Sequence, residues 1–496
     1  MHMKLANKDN MNCIEEIDSM THLVIYGAGG GGQKVAQLFR SLGIEIDYFV
    51  DSNEKTWGTY VLDRMVYSPD YLIGKQCKIV IASDAGNTEI KDKLKLLGVD
   101  SSCVLREQVI FPLVKEMLVE LKQSLNKKDD CKSQHNQQNN VFIELLEGYQ
   151  LGGVENWSYM IANGLKERGI KVEILAKKVF DYPSEWEKVL NDKFSGNYSE
   201  FKQCIKELVD YISDKLPCTI ILNKQQQLYY AGYLLKQLYP NQVKIISVTH
   251  SDLDANYERQ SYLGDSIDKF MCVSKKIMVE MNTRYDLAKD KLFYKESPVL
   301  LEEWEEHTER MYTKDMNRPV KIAYGARLER VQKRADLLIP LIQELELRKV
   351  NYRMDIAGIG SCYSMINDFI LHNNLSEKIH MKGNIDHCNM HKFWANADIF
   401  INLSESEGIG ISMLEAMKCG AVPIEFDISG SDEFIMNDIN GYIIPYLECK
   451  IMAEKIAYLS QNRELLEEMG RKSKNIIETK CGYEDYIDYL INTIGN

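Results

Sequence analysis

The sequence has no apolar run approaching the ~18 residues that a bilayer-spanning helix needs. A spanning helix is therefore not expected. It has no C-x-x-C pair: its 12 cysteines are scattered, and the two closest are Cys204 and Cys218. That argues against a zinc framework or a disulfide scaffold, and for reduced thiols used as small apolar residues. It has no excess of positive charge. Its 60 Lys and Arg face 73 Asp and Glu, a formal charge of −13. Phosphate backbones and anionic lipid are then poor electrostatic partners, and nucleic acid is not expected. A local basic face would still allow peripheral contact with a membrane. No repeat of solenoid period is present. Met1 to Asn10 is polar and lacks the apolar core of a secretion signal. The expectation is a protein of the cytoplasm, or of the inner face of the cell membrane.

What the sequence does contain is the balance of a folded chain, with 45% hydrophobic and 27% charged residues over 496 positions. At roughly 150 residues per domain, about three domains are expected. One linker is clear: Asn126 to Asn140 reads NKKDDCKSQHNQQNN and has little to bury. A second boundary falls in the charged stretch Glu302 to Asn317. The expected organisation is a tail (1–20), a first domain (21–123), a disordered linker (124–140), a second domain (141–312), a third (313–480) and a C-terminal helix (481–496).

All three units alternate strands and helices. The predicted strands are 22–26, 46–50, 78–82 and a weaker run near 103–111 in the first. The second has 141–145, 172–176, 219–223, 244–249 and 270–274. The third has 320–324, 353–357, 397–403 and 421–426. They are short, β-branched and mostly apolar throughout, as in sheets buried on both faces. Helical patterns lie between them, such as Arg334 to Lys349 with Leu337, Leu338, Leu341, Ile342 and Leu345 on one face. The alternation predicts an α/β fold of parallel, doubly wound sheets. Ligands in such sheets bind beyond the carboxyl ends of the strands.

The first such loop is Gly27-Ala28-Gly29-Gly30-Gly31-Gly32, a G-x-G-x-x-G between a strand and a helix. Asp51 ends the second strand 19 residues past Gly32, where a ribose-binding acid would sit. Gly27, Gly29, Gly32 and Asp51 are candidates for a nucleotide loop. Two readings stay open: the glycines admit a pyrophosphate to the helix N-terminus, or they serve only tight turning and strand–helix packing. Over roughly residues 22–110 this unit resembles the small Rossmann-like domain of sugar-nucleotide acyltransferases and nucleotide-sugar dehydratases. With about four strands it is small for a complete dinucleotide site. Tyr71 to Lys75 mimics the Y-x-x-x-K of short-chain dehydrogenases and is read as chance.

In the second unit Gly152-Gly153 opens a helix with Trp157, Met160, Ile161 and Leu165 inward and Gly169 as its stop. Its exposed amides suit an anion or a polar ligand. The third unit is more specific. Asn402 to Gly420 reads NLSESEGIGISMLEAMKCG, with Glu407 and Glu415 spaced as E-x7-E. Ser412 to Glu415 reads as a capping box that starts a helix near Ser412. Gly408 and Gly410 leave room for close backbone approach, and the amides of Ile411 and Ser412 suit a phosphate.

With these residues, 141–480 resembles the retaining family-4 glycosyltransferases of GT-B fold. The E-x7-E is that family's signature. Gly325-Ala326-Arg327-Leu328 with Lys333 and Asp336 matches its G-R-L…K-x-x-D segment, with Ala326 inserted. Gly358-Ile359-Gly360, Gly430 to Glu433, Asn440-Gly441, Gly152 to Glu155 and His250 match its other motifs, although Ser429 stands where a second glycine is common. The resemblance implies two facing doubly wound Rossmann-like domains, an acceptor side (141–312) and a nucleotide-sugar side (313–480), preceded by the small Rossmann-like domain.

The resemblance also implies roles. Arg327 and Lys333 would grip the donor diphosphate. Glu415 would hold the ribose. Glu407 and the 408–412 amides, Gly410, Ile411 and Ser412 among them, would meet the sugar and β-phosphate. Gly152, Gly153, Gly325 and Gly358 would line the donor. His250 would lie near sugar and acceptor. Fixed cations and amides lower the barrier to leaving of a diphosphate, so no cofactor or metal is required. Asp252-Leu253-Asp254 matches D-x-D by chance, and His387, Cys388 and His391 lack a further clustered ligand.

The expected activity is a hexosyltransferase of the EC 2.4 class. It would move a sugar from a UDP- or GDP-type donor to a saccharide or lipid-linked hydroxyl acceptor, in polysaccharide or glycoconjugate biosynthesis. A phosphorylase or nucleotide-sugar epimerase on the same fold is the alternative for the enzyme. A nucleotide-sensing or docking module is the alternative for the N-terminal unit.

Overall fold

A computed structural model describes residues 22–82, 87–100, 104–105, 110–125, 139–146, 152–177, 184–194, 198–224, 227–299, 312 and 314–495. The tail 1–20, most of the linker, Gln150, Leu151 and most of the 302–317 boundary lie outside them. The chain divides into two compact units: Met1–Ser247 with Asp254–Asp268, and Val248–Leu253 with Lys269–Asn496. Among the described residues no helix is long and apolar enough to cross a membrane.

The first unit opens with β1 (His22–Tyr26), β2 (Tyr48–Val50), β3 (Tyr60–Val61), β4 (Arg64–Tyr67), β5 (Cys77–Ile81) and β6 (Val104–Leu105). They form one sheet in the order β3-β4-β2-β1-β5-β6. It is parallel except for β3 against β4. Six strands replace the expected four. The two extra ones, 60–61 and 64–67, are too short to show an apolar run. The weak run near 103–111 also divides, because Ile110–Ser124 is helical. Val24, Ile25, Phe49, Val50, Ile79 and Val80 are fully buried, as central parallel strands require.

The same unit continues with β7 (Asn140–Leu145), β8 (Val172–Lys177), β9 (Leu190–Phe194), β10 (Cys218–Leu222) and, up to Ser247, β11 (Val243–Thr249). These are neighbours in the order β11-β10-β7-β8-β9. The helix Gly30–Ser41 packs on residues 198–213, and Ile110–Ser124 packs on Phe201–Ser213 and Gln227–Leu238. Lys202 and Glu120 add an exposed ion pair at 3.4 Å.

The second unit holds β12 (Lys269–Cys272) and β13 (Leu292–Tyr294), which pair in parallel. It also holds β14 (Val320–Gly325), β15 (Tyr352–Ala357), β16 (Ile379–Gly383), β17 (Ile399–Asn402), β18 (Val422–Phe426) and β19 (Tyr442–Ile444). These six are parallel in the order β16-β15-β14-β17-β18-β19. Ile322, Leu338, Leu341, Ile342, Leu345, Met354, Ile399, Ile424 and Met452 fill one core on this sheet. The predicted Arg334–Lys349 helix forms as a 3-10 turn, Ala335–Leu337, followed by the α-helix Leu338–Leu347. Its apolar face is the one expected, apart from Leu337, which is partly buried.

Candidate active site

The chain enters the C-terminal sheet at β14, winds outward to β15 and β16, then returns to place β17, β18 and β19 on the other side. The order therefore reverses between β14 and β17. A parallel sheet opens a crevice at such a point, beyond its carboxyl ends. The loops that leave there are 326–334 and 403–410, and they carry the predicted charged residues.

Lys333 and Glu407 meet at this crevice. Lys333 Nζ lies 2.5 Å from Glu407 Oε1, and Ser404 Oγ donates to the same oxygen at 2.7 Å. Their side chains are only 18% and 12% exposed, so the pair is held in a partly dry place where charge acts strongly. The backbone around the lysine is strained. Gln332 and Arg334 both adopt left-handed φ, +65° and +46°, at about 1–2 kcal/mol each for non-glycine residues. Both are tied down. The Gln332 carbonyl accepts from the Glu405 amide at 2.7 Å, and its Nε2 donates to the Ser406 carbonyl at 3.2 Å. Arg334 forks onto Asp336 and donates to the Tyr446 hydroxyl at 2.6 Å. Asp336 holds the Arg334 guanidinium firmly charged, its pKa above the ordinary arginine value. Tyr324, buried beneath, donates to the Lys333 carbonyl at 3.3 Å. Burial, helped by Glu407, raises its hydroxyl pKa and keeps it protonated.

Arg327 is exposed on the same loop and reaches Gln332 Oε1 at 3.4 Å. His250 comes from another part of the second unit. Its carbonyl lies where only glycine fits at 408: a Cβ there would stand 2.0 Å from it. The Asp252 amide points to the Glu407 carbonyl at a long 3.4 Å. Arg327, Lys333, Glu407 and the backbone of His250 are thus gathered at one loop cluster.

A second group surrounds Glu415, which is buried and accepts from Trp394 Nε1 at 3.1 Å. Gly325 makes this possible, because a Cβ there would come 2.5 Å from the Trp394 ring. Gly358, at φ +131°, would likewise place a Cβ 1.9 Å from the Ala326 carbonyl. Ala326, the inserted residue, thus packs directly on the glycine loop. The capping box is a correction. The helix is Ile411–Lys418, its N-cap is Gly410, and no side chain caps it. Ser412 lies inside the first turn, and Glu415 turns to Trp394 instead. The helix's first two amides, Ile411 and Ser412, precede its first bonds, which Met413 and Leu414 donate to the Gly410 carbonyl. Gly410 itself would tolerate a Cβ in ordinary contact.

Gly152 is the N-cap of the helix Gly153–Glu167, with Trp157, Met160, Ile161 and Leu165 inward as expected. In the N-terminal sheet the glycine loop also follows β1 at a reversal of strand order. Its helix starts at Gly30, with Gly29 as N-cap. A Cβ on Gly32 would stand 1.7 Å from the Gly27 carbonyl, so packing at this turn requires glycine. Asp51 accepts from the Ala28 amide at 2.7 Å and from the Asn53 amide at 2.7 Å. The acid expected at a ribose clamps its own loop. Lys75 Nζ sits 3.7 Å above the Tyr71 ring, so this chance motif makes a surface contact. Asp252 of the D-x-D pairs with Lys276 at 2.9 Å. No group of three or more metal-ligating side chains occurs among the described residues. The side chains of His387 and Cys388 lie outside those, and His391 is buried on the same helix.

Sequence patterns did not mark Gln332, Trp394, Ser404, Asn402 or Glu425. Trp394 and Glu425 reach the site from other elements, while Gln332, Asn402 and Ser404 are common polar residues that no spacing singles out.

Residues 309–476 match the family model Glycosyl transferases group 1, and residues 19–105 match C2185-like, N-terminal. A poly(ribitol-phosphate) alpha-N-acetylglucosaminyltransferase of Staphylococcus aureus is 33% identical over 32% of this chain and 32% of its own length. The GtfA subunit of a UDP-N-acetylglucosamine–peptide N-acetylglucosaminyltransferase of Streptococcus gordonii is 29% identical over 34% of each. The chain thus spans about a third of these curated relatives. The pneumococcal O-GlcNAc transferase GtfA, solved with UDP and GlcNAc, superposes with a TM-score of 0.58. It is 14% identical and covers 73% of this chain and 99% of its own. That likeness shows the fold, GT-B, and the fold alone.

Proposed function

We propose, on the premise that residues 309–476 are a group 1 glycosyltransferase segment, that the chain is a glycosyltransferase. It would move a sugar from a UDP-linked donor to a hydroxyl acceptor, with retention and without a metal. The observation that carries this is the Lys333–Glu407 pair at the strand-order reversal, with Arg327 beside it and the Ile411–Lys418 helix start on the same loop. Breaking a glycosyl phosphate bond leaves a diphosphate of greater negative charge. The held Lys333, the exposed Arg327 beside it and the Ile411 and Ser412 amides offer that charge cations and donors. In this reading Arg327 and Lys333 take the diphosphate and Glu415 takes the ribose. Glu407 and the backbone near His250 border the sugar.

N-acetylglucosamine is the first sugar to try, because the curated relatives are named as N-acetylglucosaminyltransferases. The acceptor is a saccharide or a lipid-linked saccharide of a glycoconjugate pathway. The enzyme would work in the cytoplasm or at the inner face of the membrane. The test is UDP release from UDP-N-acetylglucosamine by the parent chain and by Arg327→Ala. The variant should keep its fold and lose about 10²–10³-fold in turnover. Near-parent turnover would sink the assignment. An interconverted donor, rather than free UDP and a glycoside, would point to epimerisation.

A further inference from the structure

Glu425 lies on β18, in the middle of the C-terminal half of the sheet, and is 1% exposed. A bare carboxylate there would be costly unless hydrogen-bonded. Its register partner on β17 is Asn402, so the two side chains leave neighbouring strands side by side. Asn402 Nδ2 donates to Glu425 Oε2 at 3.1 Å, and Ser431 Oγ donates to Oε1 at 2.7 Å. Asn402, buried in turn, offers Oδ1 to the Ser404 amide at 3.1 Å. Ser404 Oγ then donates to Glu407 Oε1 at 2.7 Å, the oxygen that Lys333 also grips. The sequence of contacts runs unbroken from a buried strand residue to the reactive pair.

This chain of bonds has a direction. An asparagine amide can rotate so that oxygen and nitrogen exchange places. Only one orientation presents Oδ1 to the Ser404 amide, and an acceptor at Glu425 selects it. Losing that acceptor would free Asn402 to turn, and the loop that carries Glu407 would lose its anchor on the sheet. Burial pushes the Glu425 carboxyl up to about 7, with smaller contributions from Glu407 and Asp427.

We propose that Glu425 is a positioning residue for Glu407, acting through Asn402 and Ser404. The claim about turnover rests on the glycosyltransferase reading above; the claim about the loop does not.

The test uses the full chain and compares Glu425→Leu, which removes both acceptor oxygens, with Glu425→Gln, which keeps one for Asn402. Amide hydrogen exchange over residues 403–408 and initial rates with UDP-N-acetylglucosamine are the two readouts. Glu425→Leu should exchange that segment at least about tenfold faster. It should lower kcat by about 10²-fold with KM unchanged, as misplacement of a reacting group does. Glu425→Gln should restore both to within about threefold. If Glu425→Leu does not fold, Ser404→Ala cuts only the last link and should lower kcat about tenfold at constant KM. Unchanged exchange in Glu425→Leu, equal damage in Glu425→Gln, or parent kcat in Ser404→Ala overturns the proposal. A parent chain that turns over no donor would instead count against the reading of function, while the exchange comparison still decides the relay.

Discussion

Two loops of this molecule begin alike and end differently. Gly27–Gly32 and Ser404–Gly410 each leave a buried parallel strand at a reversal of strand order, and each leads into a helix capped by glycine. In the first, Gly32 is packed against the Gly27 carbonyl and Asp51 holds the Ala28 and Asn53 amides. The loop satisfies itself. In the second, Glu407 faces a lysine from another loop, and Lys333 in turn sits between two strained residues. That loop holds opposed charges together at the mouth of the sheet. A glycine motif sets how each backbone turns; what differs is that the second loop meets a charged group brought in from elsewhere.

Breaking the second loop should have the largest effect. Glu407→Gln removes the charge that positions Lys333 and should lower turnover by about 10²–10³-fold, with only a modest fall in melting temperature from leaving a largely buried lysine without its counter-charge. UDP release and a thermal scan together check this. A large fall in melting temperature would make the pair structural and dissolve the contrast.

The next effect depends on pH. The folded pKa of Glu425, about 7, lies above its ordinary value of 4.5. An acid raised in this way lends its full contribution to stability below about pH 4.5, and loses it as pH rises through 7. The swing is of the order of 3 kcal/mol. Denaturant unfolding at pH 5 and pH 8 should show the parent losing stability relative to Glu425→Gln. A parent and variant that differ equally at both pH values would contradict the raised pKa.

The smallest effect falls on the first loop. Gly32→Ala forces a Cβ into the Gly27 carbonyl and should cost about 1–3 kcal/mol of stability, read from urea unfolding of the full chain. An unchanged midpoint would mean that this glycine is not needed for packing. The two loops would then be more alike than their contacts suggest.

Much of this was legible in the chain. The apolar β-branched runs at 22–26, 141–145, 320–324 and 421–426 reported strands because strands buried on both faces have no polar side to interrupt them. The short pairs 60–61 and 64–67, and the strands 190–194, 379–383 and 442–444, were not legible. The strands 190–194 and 379–383 carry mixed residues that look like loop, whereas 60–61, 64–67 and 442–444 are mostly apolar but too short to stand out. At the site, Glu407 and Glu415 stood out because glycines and a helix start lie between them, whereas Arg327 and Lys333 were marked only by likeness to a family segment. The capping box misled, since Ser412 to Glu415 has the right letters two residues too late for a helix whose N-cap is Gly410. Whether Glu415 caps or meets Trp394 depends on a tryptophan 21 positions away.

The sequence by itself determined the alternation of strands and helices, the glycine turns and the inventory of charged groups. Each depends on neighbours a few residues apart, and local sterics and burial act over that range. Only the tertiary structure decided which charges meet. Lys333 and Glu407 are 74 positions apart, and parallel strand order brings their loops to one crevice. The same register sets Asn402 beside Glu425 and turns a buried acid into part of the site's support. Pairing across a sheet is a property of the whole chain, and no local pattern encodes it.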